Sequence, residues 1–136
     1  MGELALMKQD PALLQEVLAK YARAVKIKPD FYVAWNNWGN ALVYLATLKE
    51  GKEREALVTQ AEEKLLPAEK IKPGGGAYNL ALVFALRGKP EESLNWLSRA
   101  LEAKSAHGKD HILNDPALAS LREDPRFGEL IRKHFP

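Results

Sequence analysis

Apolar residues recur along this chain at intervals of three and four. Between 11 and 27, Leu13, Leu14, Val17, Leu18, Tyr21 and Val25 fall on one stripe of a helix, with Lys20, Arg23 and Lys26 opposite. The alternation expected of a half-buried strand is absent. The same helical period predicts elements near 11–27, 31–48, 53–71, 77–87, 90–104, 115–122 and 125–134. Their ends are chemically marked. Asp10-Pro11, Asp115-Pro116 and Asp124-Pro125 each set a capping carboxylate before a proline at the first helical position. "KPD" at 28–30 and "KPGGG" at 72–76 stop helices, because proline lacks an amide donor and restricts the residue before it. "LKEGKE" at 48–53 and "LRGKPEE" at 86–92 carry the short glycine turns that join antiparallel helices. Pro67 lies inside the third element, where a kink or break is expected.

The pattern also repeats. "KYARAVKIKPD" at 20–30 lies over "KLLPAEKIKPG" at 64–74. The segment "AWNNWGNAL" at 34–42 places Trp35, Trp38, Gly39 and Leu42 at the spacing of the first helix of a tetratricopeptide repeat, and it resembles that family. Ala61, Leu65, Ala68 and Pro73 match the paired second helix. A second unit follows with Ala77, Leu80, Ala81, Phe84, the turn residue Gly88, and then Ser93, Leu97 and Ala100. Val17, Tyr21, Ala24 and Pro29 resemble the second helix of an incomplete preceding unit. The tail "NDPALASLREDPRFGELI" resembles the capping helices that end such arrays. There are departures: the first full unit exceeds the usual ~34 residues by about ten, Ala77 replaces a bulky residue, and no proline follows Ala100.

The resemblance implies an all-α fold of antiparallel helix pairs stacked as a short right-handed α-solenoid over residues 1–136. Its units would be 11–29, 31–73 and 74–104, followed by a loop and capping helices over 105–136. Small residues at Gly39, Ala68, Ala81 and Ala100 would let paired helices approach closely. Trp35, Trp38, Leu42, Leu65, Leu80, Phe84 and Leu97 would fill the space around each contact. Burial of the two indoles, at about 1.5–3 kcal/mol per large apolar side chain, would outweigh the roughly 1 kcal/mol cost of a helical glycine.

The same resemblance implies a concave groove lined by the first helix of each pair. Its positions would be Val33, Asn36, Asn40 and Tyr44 from one unit, with Tyr78, Asn79, Leu82 and Leu86 from the next. Asparagine offers a donor and an acceptor to a peptide backbone, and tyrosine adds area with a polar tip. The plainer alternative is that Tyr44, Leu82 and Leu86 touch only the next helix of the stack. Members of the family that grip chaperone termini use lysines with asparagines. Asn40 and Asn79 stand at two such places, but Asn36 replaces the lysine and a third unit is lacking, which argues against a chaperone partner.

Composition narrows the remaining classes. With 20 basic and 18 acidic residues, the net charge of +2 gives no electrostatic reason for nucleic acid or an anionic membrane. The strip Lys20, Arg23, Lys26 and Lys28 reads as the solvated face of its helix. There is no cysteine, and no apolar stretch approaches the ~20 residues of a membrane span. The start "MGELALMKQD" lacks a secretion signal, so a cytoplasmic setting is expected. His107 and His111 have a metal-compatible spacing, yet Gly108 and the missing apolar stripe favour a solvated loop, with Asp110 the only near third ligand. "KPGGGAYN" sets glycines before a helix start, where amides can bind anions. It lacks the lysine and hydroxyl of a phosphate loop and reads as a flexible hinge. Carboxylates in 49–64 alternate with basic residues at i,i+4 pairing distance. No nucleophile and base are placed together, so neither enzymatic activity nor a cofactor is expected. The expected partner is a protein or peptide. A second possibility is self-assembly through Leu13, Leu14, Val17 and Tyr21, or membership of a longer array, since "ELALMKQ" at 3–9 is too short to cover that face.

Overall fold

The computed structural model describes residues 11–136, and every regular element among them is helical. Seven α-helices run in order: α1 Pro11–Ile27, α2 Tyr32–Thr47, α3 Gly51–Ile71, α4 Ala77–Leu86, α5 Pro90–Glu102, α6 Lys109–Asn114 and α7 Pro125–His134. A 3-10 helix, Pro116–Leu121, lies between α6 and α7. The Asp10 cap and the 3–9 segment lie outside the described residues.

The most extensive packing is α2 on α3 and α4 on α5, each pair joined by a connection of a few residues that sends the chain back along itself. Arg54 locks the first turn: its Nε donates to the carbonyls of Ala46 and Lys49, both at 2.9 Å, satisfying acceptors at the end of α2. In the second, Gly88 adopts φ +75° and the Lys89 amide donates to the Phe84 carbonyl at 2.9 Å, the left-handed closure that glycine favours. α3 and α2 both meet α4, α1 lies on α2, and the tail returns to the hairpins through 3-10 helix contacts with α4 and α2 and through α7 against α5.

Helix pairs approach where the small residues lie. Ala68, Ala81 and Ala100 are fully buried. Gly39 faces Leu65 so closely that an added Cβ would overlap that side chain. The Ser93 hydroxyl, also buried, donates to the Ala81 carbonyl at 2.6 Å and ties α5 to α4.

The indoles are less enclosed than expected, although Trp38 does pack against the core. Trp35 and Trp38 stack on each other, with centroids 5.9 Å apart, and both stay half-buried. Trp35 Nε1 donates to the Pro29 carbonyl at 2.8 Å, and the Lys64 ammonium sits 4.2 Å from the Trp38 ring centroid. Leu65, not an indole, fills the notch at Gly39. The polar N–H of tryptophan needs a partner, which pulls the Trp35 ring outward to the α1–α2 turn.

Three other details depart from the pattern. Pro67 does not break its helix: α3 is continuous through it. The residue four positions earlier, Glu63, is exposed, so water can take the carbonyl that Pro67 leaves without a donor. The 105–114 stretch, expected as a solvated loop, contains α6, because Ile112 is fully buried and Leu113 packs on the core. The segment expected as a helix over 115–122 is a 3-10 turn, capped by Asp115, whose carboxylate accepts from the Ala117 amide at 3.0 Å. Asp124 caps α7 in the same way, accepting from the Arg126 amide at 2.9 Å.

Candidate functional site

Where α2 begins, the 72–76 turn passes between it and the end of α5. These segments enclose a cleft of about 370 Å³. Tyr32, Val33 and Asn36 line it from α2, and Tyr78 and Asn79 from the first turn of α4. Lys72 to Gly75 of the turn, and Ala103 to Ser105 with His107 after α5, complete the lining.

The glycines hold this shape by close approach. A Cβ on Gly75 would strike the Lys72 carbonyl and the Tyr32 ring, and one on Gly76 would strike the Leu65 carbonyl. The turn is packed against its surroundings, a correction to its reading as a hinge. Its anion-binding capacity is already used within the chain. The Glu69 carboxylate accepts from the Gly74 amide at 2.9 Å and the Gly76 amide at 3.1 Å, and Arg99 lies 3.7 Å from it. A phosphate would have to displace a carboxylate held by two amides and a guanidinium.

At the cleft wall, Asn79 Nδ2 donates to Asn36 Oδ1 at 2.9 Å. Asn79 is 6% exposed, and its Oδ1 is buried without a hydrogen-bond partner. Leaving such an acceptor unpaired costs about 1–3 kcal/mol. Tyr78 is buried, and its hydroxyl donates to Asp115 at 2.7 Å. Burial, and then the Asp115 carboxylate, push its phenol well above the usual range, so it remains a donor. The Lys72 ammonium lies 3.2 Å from the Tyr32 hydroxyl and 5.0 Å from that ring's centroid.

His107 and His111 stack with centroids 3.9 Å apart, and His107 meets Tyr78 edge-on at 4.9 Å. Wedging between these rings, followed by the charge of His111, lowers the His107 pKa from its ordinary value, with Asp115 opposing. Among the described residues no group of three or more His, Cys, Asp or Glu side chains is arranged to hold a metal ion. Ser105 and His107 both line the cleft, but the Ser105 hydroxyl donates to the Ala100 carbonyl at 3.3 Å and not to the imidazole.

Of the eight groove positions read from the sequence, Val33, Asn36, Tyr78 and Asn79 meet at this cleft. Asn40 and Tyr44 continue along α2 beyond it, both half-buried. Leu82 is 3% exposed within the core, and Leu86 packs against the core from the end of α4. The face read for self-assembly is partly covered by this chain itself: Val17 is buried with Ala41 of α2, and Leu14, Leu18 and Tyr21 pack on that pair. Lys20, Arg23, Lys26 and Lys28 are exposed. Lys49 pairs with Glu53 at 3.9 Å in the expected i,i+4 manner, whereas Glu62 reaches Arg87 at 2.7 Å across to the next turn.

Sequence reasoning did not single out Tyr32, Lys72 or Lys104 as lining residues. Lys72 stands beside the "KPGGG" signal and could have been included with it. Lys104 carried no signal, because its place depends on how α5 ends. No helix among the described residues is long and apolar enough to cross a membrane. No family model, curated protein or solved structure matches this chain.

Proposed function

We propose that this chain is a protein-interaction module, a short right-handed α-solenoid of the tetratricopeptide type that receives a peptide segment in the cleft between α2 and α4. The observation that carries this reading is the Asn36–Asn79 amide pair on the cleft wall. Its internal hydrogen bond consumes one donor and one acceptor. What remains is the Asn79 carbonyl, without a partner, and the Asn36 amide nitrogen. The Asn79 carbonyl is enclosed, so it is the Asn36 amide nitrogen that can donate to the C=O of a peptide backbone at the cleft wall. Tyr32 supplies flat contact area next to the pair. The Ser105 hydroxyl is committed to a helix carbonyl, so the cleft holds no activated nucleophile and its polar groups suit recognition.

Selection of peptides from a random display library tests the reading. The selected peptides should bind Asn36→Ala about tenfold more weakly, the loss expected of a hydrogen bond or two. The thermal midpoint should fall by several degrees, because the variant leaves the buried Asn79 Nδ2 without its acceptor, so binding is compared well below that midpoint. Peptides that bind the variant equally well, or a selection that yields none, would remove this function.

A further inference from the structure

We propose that the end of the molecule where α1 and α3 stop and α2 begins docks onto an anionic lipid bilayer. Its isoleucine and aromatic side chains enter the interface while its lysines meet the phosphates. A repeated tripeptide leads to this surface. Ile27-Lys28-Pro29 closes α1 and Ile71-Lys72-Pro73 closes α3, and all six residues are exposed. The fold brings both copies to two consecutive aromatic residues at the start of α2. The Lys28 ammonium lies 5.6 Å from the Phe31 ring centroid, and the Lys72 ammonium lies 3.2 Å from the Tyr32 hydroxyl.

Apolar exposure gathers at this end. Ile27 is 77% exposed and belongs to neither core cluster, and Phe31 and Ile71 are each 39% exposed. Trp35 is held beside them, at the α1–α2 turn, by its 2.8 Å bond to the Pro29 carbonyl. Rings with an apolar body and a polar tip suit the boundary between lipid and water.

The charge has the matching sign. Stretches 26–32 and 70–73 hold four lysines and one acid, Asp30. Glu69, the next acid on α3, is turned inward, where it accepts from the Gly74 and Gly76 amides and lies 3.7 Å from Arg99. Lys20 and Arg23 extend the positive strip along α1. The net charge of +2 averages this end against carboxylates elsewhere, such as Glu53 and Glu55 near the other end of α3. A charged surface responds to groups within about a Debye length, ~8 Å at physiological salt, so the local excess is what counts.

Ile27, Lys28 and Phe31 lie outside the cleft lining, on exposed positions around a turn. Apolar and cationic side chains alternate there, and a bilayer takes both at once: the acyl boundary receives the isoleucines while the lysine stems reach the phosphates. A nucleic acid would use the lysines and gain nothing from the isoleucines.

The test sediments the full chain with vesicles of phosphatidylcholine, alone or with roughly one-third phosphatidylserine. Partitioning onto the mixed vesicles should be at least about tenfold stronger. Lys28→Gln combined with Lys72→Gln should weaken it about thirtyfold, at about fivefold for each lysine. Ile27→Ser leaves the charge unchanged and should weaken it about tenfold. Lys52→Gln, at the opposite end of α3, should change nothing. All these positions are exposed, so melting followed by circular dichroism should match the native chain, and lost binding is then not lost folding. Partitioning onto neither vesicle, or equally onto both, would overturn the proposal, as would an equal loss with Lys52→Gln. Binding that ignores Ile27→Ser and is matched by soluble polyglutamate would assign this end to an acidic protein and overturn the bilayer.

Discussion

At Gly39 the missing side chain is filled by a neighbour's. Leu65 is fully buried and occupies the space where a Cβ would sit. Replacing Gly39 with alanine improves helix propensity by roughly 1 kcal/mol. It also forces Leu65 to move in a core without spare volume, at the upper end, about 3 kcal/mol, of the usual overpacking cost. The second effect wins. Gly39→Ala should lose about 2 kcal/mol in urea unfolding, the difference of those two terms. An unchanged or raised midpoint would show that the notch is not tight. This residue's packing role was legible from "AWNNWGNAL", and Leu65 is among the residues expected around the crossings; which of them meets Gly39 was decided by the tertiary structure. Indole bulk stayed half-exposed since the Trp35 N–H found the Pro29 carbonyl.

The short helix α6 shows how a helix can escape pattern reading. Its six residues bury Ile112, too few for a stripe to emerge. Its approach is marked by His107 stacked on His111 and edge-on to Tyr78, with Asp115 beside them. Burial and the His111 charge lower the folded pKa of His107, so the folded state binds a proton less readily than the unfolded chain. Stability from this group is therefore complete above the unfolded value of about 6.5 and declines as pH falls through it. The thermal midpoint should drop between about pH 7.5 and 5.5 more in the native chain than in His107→Gln, which has no imidazole to protonate. Parallel curves for the two proteins would contradict this. The turn at 72–76 teaches a similar lesson: its glycines were visible in sequence, yet the internal anion that fills it, Glu69, was not. That carboxylate reaches the turn only because α3 continues through Pro67.

Across the whole molecule, burial is unequal. One large cluster joins α2 to α5 with the tail, including Leu118, Leu121, Ile112, Phe127 and Ile131. A small second cluster, Val17 with Ala41, attaches α1. The tail is thus part of the main core. Leu118→Ala should cost about 2–5 kcal/mol, whereas Val17→Ala should cost only about 1–2 kcal/mol, the worth of two buried carbons. Chemical denaturation of both variants measures the contrast, and equal losses would mean that α1 is as integral as the tail.

Helix positions up to α5, their turns and the small residues at crossings could be read from the chain alone. Each is set by local chemistry: apolar period, a carboxylate before proline, glycine at a turn. The Asn36–Asn79 contact and the meeting of Lys72 and Lys104 along one cleft belong to the tertiary structure. They join residues far apart in the chain, and the angle at which helices meet depends on which side chain fills which notch. Lys104 illustrates the difference best: its letter is ordinary, and only the left-handed end of α5 turns it toward the cleft.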